Sequence, residues 1–431
     1  MVFKNETSLL CIMKYIIWSL LLLTRFQSEA QLRLLSYNLL NFPTSNLAGR
    51  VDTLANIIDY TRPHLLMIQE LENAEGLEQI TDMMNDLGYG DFTHPDFIPQ
   101  QSPGSPSNQL QQSIVYDAEV LRLKSSSVVL TDYRDINEFV LYLNDPQLPN
   151  GSDTTFLYVY VTHLKSSTGS DNELARLSMV NYLISHFEEL PPNSNVIFAG
   201  DFNLYTNTEP AYTAITSEDN AIVLKDIFAS YGDWPGATFP HKEILTQCTR
   251  TSVIFNDGAG GGVDDRFDFI LMSESLLETD NGLYYVEGSY KSIGNTGNCY
   301  NANITDCDIA NPVPTDVLQS MYYMSDHIPQ YCELFSDIID NHGEINTVQP
   351  GFFFPYGNIA QENLCFGLQG YNAPSGVITV YDVQGKEIHS QILDDSNLQF
   401  LPSQKWQDGM YIISLMTSGH VKFNDKFLIQ R

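Results

Sequence analysis

The fragment Gly200-Asp201-Phe202-Asn203 sets a carboxylate and an amide two residues apart, directly after the apolar run Val196 to Ala199. In extended backbone such residues project from the same face, so Asp201 and Asn203 can act on one bound group, one orienting water and the other holding an anion. Ser325-Asp326-His327-Ile328-Pro329 joins an acid and an imidazole before a proline that limits the backbone. Arg266 to Ser273 alternates aromatic and charged residues, which leaves Asp268 among apolar neighbours. A buried carboxylate needs a partner; His327 is a suitable one, and the pairing would raise the imidazole pKa. Asn38, Glu70 and His163 each follow an apolar run of their own. Each fragment alone also fits an ordinary turn. Together they fit the hydrolysis of a phosphate ester, which needs a polarised phosphoryl oxygen, an activated water and a stabilised leaving alkoxide. A carboxylate-held cation can supply two of these. The hard oxygen ligands favour Mg²⁺, with Mn²⁺ or Ca²⁺ as alternatives.

To converge, these residues must sit on a scaffold that exposes the ends of its strands. Apolar runs predict strands over Leu32 to Tyr37, Leu65 to Gln69, Ser113 to Tyr116, Thr155 to Thr162, Asn195 to Ala199 and Arg266 to Met272. Helices are expected over Leu47 to Thr61, Glu75 to Leu87 and Asn172 to Glu189. In the last, Leu174, Leu177, Met179, Val180, Leu183, Ile184 and Phe187 recur near helical spacing as a core-facing stripe. The alternation of elements over residues 31–337 reads as one mixed α/β domain. The polar stretch after Asp337 suggests a linker over 338–352. Residues 353–431 read as strands with turns at Gln384-Gly385 and Ser418-Gly419, a small all-β module.

With 431 residues, 43% hydrophobic and 17% charged, the chain describes a globular protein of a large and a small domain. Its formal net charge of -32 repels nucleic acid and anionic lipid over the surface as a whole, which disfavours binding by a basic patch and weakens a nucleic-acid reading without excluding it. Bound cations can still supply positive charge at one scissile group. Residues 1–30 read as an export signal: Lys14, an apolar run from Tyr15 to Leu23, then Ser28-Glu29-Ala30, with Met13 as an alternative start. The run is too short for a stable span of a bilayer core of about 30 Å. Export permits disulfides among Cys248, Cys299, Cys307, Cys332 and Cys365, and Cys299 with Cys307 would close a short polar loop.

Six fragments occur in order: SYNLLNF at 36–42, IQE at 68–70, THLKS at 162–166, GDFN, RFDFILMS and SDHIP. The set resembles the endonuclease/exonuclease/phosphatase superfamily, which includes deoxyribonuclease I, abasic-site endonucleases, inositol polyphosphate phosphatases and neutral sphingomyelinases. The resemblance implies a four-layer α/β/β/α sandwich of two packed mixed β-sheets. It makes Glu70 the principal Mg²⁺ ligand, with Asn38 beside it and Asp326 helping to hold a metal or its water. It assigns Asp201 to the attacking water, Asn203 to its positioning, His163 and His327 to phosphoryl oxygens, and Asp268 to pairing with His327. Members also place a tyrosine or arginine near the phosphate between Glu70 and His163; Tyr116 is a candidate.

HLKSSTGSDNELAR at 163–176 and GDFNLYTNTEPAY at 200–212 look like secreted bacterial endonucleases of this group, and Arg176 is either a phosphate contact or half of a helix-surface salt bridge. The loop Asp257 to Gly262 lacks the lysine and following helix of a P-loop and reads as a surface turn bordering the cleft. VYDVQGKEI at 380–388, DGMYIISL at 408–415 and the closing KFNDKFLIQR resemble the sorting domain of type IX secretion cargo in Bacteroidetes, with a degraded opening at Phe354-Pro355-Tyr356-Gly357-Asn358. The expectation is a secreted or surface-held endonuclease or phosphodiesterase that meets the type IX machinery through its C-terminal module. A sphingomyelinase-like or sugar phosphoesterase, and an inactive surface-binding protein of the same fold, are the alternatives.

Overall fold

The computed structural model describes residues 31–44, 49–104, 110–145, 155–234, 236–279, 282–307, 311–336, 351–353, 359–360, 363–369, 377–392, 398–417 and 420–429. The expected export signal, the degraded sorting-domain opening, the start of the first expected helix at Leu47 and nearly all of the expected linker lie outside them. The chain divides into two compact units, one ending at Asp340 and the other beginning at Asn341.

In the first unit, one sheet is built on β1 (Gln31–Phe42), β2 (Leu65–Leu71), β3 (Phe92–Thr93) and β4 (Gln111–Asp117). The other holds β5 (Leu121–Val129), β6 (Ile136–Leu143), β7 (Phe156–His163), β8 (Val196–Asp201), β9 (Leu224–Lys225) and β10 (Asp268–Ser273), in the order β5-β6-β7-β8-β10-β9. The first sheet is completed by β11 (Leu283–Tyr285), β12 (Lys291–Ser292) and β13 (Gln330–Ser336), in the order β11-β13-β1-β2-β4-β3 with β12 against β13. Both sheets are mixed, because β1 with β2 and β7 with β8 run parallel while the other pairs are antiparallel.

Strand periodicity explains the layering. Leu32, Leu34, Leu65, Met67 and Ile114 of one sheet share a core with Leu157, Val159, Ile197, Ala199, Ile270 and Met272 of the other. The alternate residues Leu35, Tyr37, Leu66 and Ile68 cluster instead with helical side chains. Both faces of the central strands are buried, so they read as continuous apolar runs rather than alternating ones.

The helices are α1 (Arg50–Thr61), α2 (Ala74–Asp86), α3 (Ser170–Phe187), α4 (Pro210–Ile215) and α5 (Thr315–Met324). Leu54, Ile57, Leu77 and Ile80 come from α1 and α2; Met179, Val180, Leu183 and Phe187 come from α3. The result is the α/β/β/α sandwich. The Asn73 side chain caps α2 by accepting from the Gly76 N–H at 2.9 Å. The expected apolar stripe of α3 is only partly core: Leu174 is 59% exposed, and its place inside goes to Ala175 and Arg176.

Arg266 carries a buried charge pair away from the candidate site. Its Nη1 and Nη2 donate to the two oxygens of Asp226 at 2.8 Å each, Tyr212 donates to the same carboxylate at 2.9 Å, and the guanidinium lies 4.2 Å from the Phe269 ring centre. Replacing Asp226 with alanine strands a buried cation. We expect a loss of about 3–5 kcal/mol, measured by urea unfolding; a loss within about 1 kcal/mol, the range of an exposed pair, would contradict this account.

Cys299 and Cys307 form a disulfide, whereas Cys248 and Cys332 are buried free thiols. Among the described residues the second unit has two sheets. One contains β14 (Gly351–Phe353), β16 (Asn363–Gln369) and β19 (Leu398–Pro402); the other contains β15 (Ile359–Ala360), β17 (Val377–Asp382), β18 (Glu387–Ile392), β20 (Gly409–Thr417) and β21 (His420–Ile429). Leu364, Phe366 and Leu401 of the first meet Ile378, Val380, Ile413, Leu415 and Phe427 of the second in one core, a small β-sandwich.

Candidate active site

Strand register places most of the candidate residues. His163 pairs with Asp201 across β7 and β8, and Asp201 pairs with Asp268 across β8 and β10. The three form one row, and they continue the parity of Val161, Ala199 and Ile270, which face the other sheet. Asn38 continues the inward parity of Leu32 and Leu34 and pairs with Gln69. Both sheets therefore deliver polar side chains to the same end of the seam between them.

Glu70 is out of parity, since Gln69 occupies the inward position. It reaches the site through left-handed backbone, with φ of 58°, at a register shift shared with β1. Leu40 and Asn41, at φ of 47° and 51°, form the matching irregularity. Arg50 holds that turn by donating to the carbonyls of Leu39 and Met324. Asn203 is likewise left-handed, at 51°. Such backbone is costly for residues other than glycine and concentrates where a side chain must be aimed. Gly200 has a steric reason: a Cβ there would lie 2.0 Å from the Thr162 carbonyl oxygen, at φ of 136°.

Asn38 Nδ2 donates to Glu70 Oε1 and to Asp201 Oδ2, 3.1 Å each, tying the two sheets together. The Asn41 N–H donates to Glu70 Oε2 at 3.1 Å. His163 lies between two carboxylates, with Nδ1 3.8 Å from Glu70 and Nε2 3.4 Å from Asp201. The Asn203 N–H donates to Asp201 Oδ1 at 3.0 Å. His327 Nδ1 donates to Asp268 Oδ2 at 2.8 Å, and its Nε2 lies 3.7 Å from Asp201. Asp326 accepts from the Ala259 N–H at 2.7 Å, so the glycine-rich loop is anchored to the site. Asp257 of that loop accepts from Asn41 Nδ2 at 3.0 Å.

The electrostatics follow from burying this many acids together. Burial, reinforced by the Asp268 and Glu70 charges and only partly offset by His327, pushes Asp201 up to about 7. Burial, with Asp326 nearby, raises Glu70 as well. For His327, burial opposes protonation, but the Asp268 and Asp201 charges outweigh it and hold the imidazole well above its usual range. Burial, with Arg134 beside it, keeps His163 well below that range and therefore neutral. The Gln247 amide lies 2.7 Å from His327 Nε2 and donates to Asp326 Oδ2 at 3.3 Å.

Glu70, His163 and Asp201 offer donor atoms all within 4.8 Å of one another. His163 Nδ1 and Asp326 Oδ1 are buried and accept no hydrogen bond. Carboxylate oxygens, an imidazole nitrogen and orphaned lone pairs fit a divalent cation. The grouping differs in emphasis from the expected ligand set, since His163 joins Glu70 while Asp326 turns partly toward Ala259.

Three residues at the site were not singled out from sequence. Arg134, in the turn before β6, donates to the His163 and Leu164 carbonyls at 3.3 and 3.1 Å. It occupies the stretch between Glu70 and His163 where Tyr116 was the candidate; Tyr116 instead pairs with Leu65, at the opposite end of β2 from Glu70. Gln247 and Asn41 are the others; Asn41 lies within SYNLLNF, where Asn38 alone is given a role, and Gln247 lies in none of the six fragments. Arg176 is neither a phosphate contact nor half of a surface salt bridge: it is fully buried against Glu209.

Residues 358–430 match the family described as secretion system C-terminal sorting domain, so the protein is secreted or held at the cell surface. Among the described residues no helix is long and apolar enough to cross a membrane. No curated protein matches the chain in sequence. Among solved structures, humanized D. rerio TDP2 is similar at 17% identity over 71% of this chain and 100% of that one, with a TM-score of 0.45. The human Nocturnin catalytic domain with bound sulfate anion is similar at 17% identity over 72% and 95%, with a TM-score of 0.46. An endonuclease/exonuclease/phosphatase from Bacteroides vulgatus is similar at 15% identity over 71% and 99%, with a TM-score of 0.45.

Proposed function

We propose that the protein is an exported, divalent-metal-dependent phosphoesterase, most simply an endonuclease or phosphodiesterase acting on nucleic-acid phosphodiester bonds. The observation that carries this reading is the His163–Asp201–Asp268 row, closed from the other sheet by Asn38 and Glu70 and completed by the Asp268–His327 pair. Glu70 and Asp326, with His163 and Asp201 adjacent, would hold the cation, and Asn38, expected beside Glu70 as a ligand, would instead position the Glu70 and Asp201 carboxylates through its Nδ2. When bound, it supplies positive charge that polarises a phosphoryl oxygen and offsets charge on the leaving group.

The remaining work falls to the chain's own groups. Asp201, whose Oδ1 accepts the Asn203 N–H at 3.0 Å, is placed to orient the attacking water and take its proton. Asn203, fixed beside it, positions that water. His327, held in its charged form by Asp268, donates to a phosphoryl oxygen, and neutral His163 turns a ring nitrogen inward. Arg134 adds a cation beside the row.

A second reading, a lipid or sugar phosphoesterase, is favoured by the net charge of -32 and by Val253 and Phe255, 53% and 47% exposed on the segment leading to Asp257. The deciding experiment incubates the purified protein with plasmid DNA, RNA, sphingomyelin vesicles and bis(p-nitrophenyl) phosphate, in Mg²⁺, Mn²⁺, Ca²⁺ or EDTA, beside Glu70→Ala and His327→Ala. Nucleic-acid cleavage that EDTA and either substitution abolish is the expected result. Turnover that survives all three would refute the site, and turnover confined to sphingomyelin would favour the second reading. No turnover on any substrate would leave a binding protein of the same fold.

A further inference from the structure

We infer that Arg176 is a positioning residue that locks two loops of the candidate site to each other, an inference that takes the hydrolytic reading above as its premise. Arg176 lies on α3 with no exposed surface. Its Nη1 donates to the carbonyls of Lys165 and Ser167, at 2.9 and 3.0 Å, in the segment that follows His163. Its Nε and Nη2 donate to Glu209 Oε2, at 2.8 and 2.7 Å. The other oxygen of Glu209 accepts the Tyr205 N–H at 2.7 Å, in the segment that follows Asn203. One guanidinium thus joins the loop after His163 to the loop after Asn203.

Two shorter links run parallel to this strap. Leu164 N–H donates to the Asp201 carbonyl at 2.9 Å, and Asn203 Nδ2 donates to the Leu164 carbonyl at 3.3 Å. Ser167 is held at φ of 79°, a conformation that one of the two Nη1 bonds stabilises. A flat fork with donors on three nitrogens is needed to reach two carbonyls and a carboxylate at once, and lysine cannot replace it. Because both charges are buried and fully paired, loss of either leaves the other stranded. The side chain has no solvent-facing atom with which to bind a phosphate. Its effect on the reaction passes through the placement of His163 and Asn203.

The test compares the full chain with Arg176→Met, Arg176→Lys and the milder Glu209→Gln. Hydrogen exchange is followed at the amides of residues 164–169 and 203–209, and kcat and KM are measured on whichever substrate of the panel is turned over. The expected result is faster exchange in both segments, unchanged exchange in β1 and β2, and a kcat lower by about 100-fold for Arg176→Met, the loss typical of a misplacement near 1 Å. KM should stay within a factor of about three, Arg176→Lys should fail to rescue, and Glu209→Gln should move in the same direction to a lesser extent. Exchange that rises in one segment only would overturn the coupling. A raised KM with unchanged kcat would overturn it in favour of direct substrate contact. If Arg176→Met does not fold, Glu209→Gln decides the matter by the same measurements. If the unsubstituted protein turns over no substrate, the hydrolytic reading fails while the exchange data still decide the coupling.

Discussion

Asp268→Asn is expected to lower kcat by about 10³- to 10⁴-fold while leaving the thermal melt nearly in place, as the same change does where an aspartate orients a catalytic histidine. The carboxylate accepts the His327 Nδ1–H at 2.8 Å and lies 2% exposed at the end of β10. An asparagine of the same shape can present its NH₂ group to Nδ1, which forces the imidazole into the other tautomer, or its oxygen, which keeps the tautomer but loses the charge. Either way Asp268 no longer outweighs the burial that opposes protonation of His327. The backbone donors and the Asp201 register are untouched, so KM should change little. Activity within about threefold of the unsubstituted protein would mean that His327 acts without Asp268, and the pair would then be a packing feature.

How much of this was legible beforehand depends on whether a residue obeys its strand. His163 and Asp201 are inward by parity, so an apolar run followed by a polar residue was enough to find them. Asn38 follows the same rule. Asp268 opens its strand and was marked instead by the alternation of aromatic and charged residues from Arg266 to Ser273. Glu70 was found for a less secure reason, since alternation alone would have pointed to Gln69; the left-handed backbone that corrects this leaves no trace in residue type. Arg134 stands before β6 in Tyr133-Arg134-Asp135, which reads as an ordinary polar turn, and only the pairing of β6 with β7 brings it beside His163. Tyr116 was the more visible aromatic candidate, but the antiparallel run of β4 carries it away from Glu70.

The helical stripe of α3 misled for a related reason. Apolar spacing could not show that one core position would be filled by Arg176, because an arginine is tolerated there only when Glu209, far along the chain, supplies its charge partner. Outer strands such as β5, with the polar run Lys124 to Ser127, and the short β9 and β12 carry too little apolar patterning to be read from sequence at all.

Addition of Mg²⁺ or Mn²⁺ is expected to raise the melting temperature of the unsubstituted protein by several degrees at 100 times the Kd, equivalent to about 2.7 kcal/mol of linked binding, and Glu70→Gln should abolish most of that rise. The physical ground is the crowding of acids. Burial and mutual repulsion raise Glu70 and push Asp201 up to about 7, which means that ionising them in the folded state is opposed. A group whose folded pKa is raised above its unfolded value costs stability as pH climbs from the unfolded pKa to the folded one. For Asp201 that window runs from the usual carboxylate range to about 7. A cation competes with the proton for the same oxygens. In its absence, stability attributable to this site falls across the window; in its presence that loss is offset, so the cation-induced rise should be larger at pH 8 than at pH 5. Differential scanning calorimetry with and without EDTA at the two pH values measures this directly. A rise of equal size at both, or one that persists in Glu70→Gln, would place the cation away from Glu70 and Asp201.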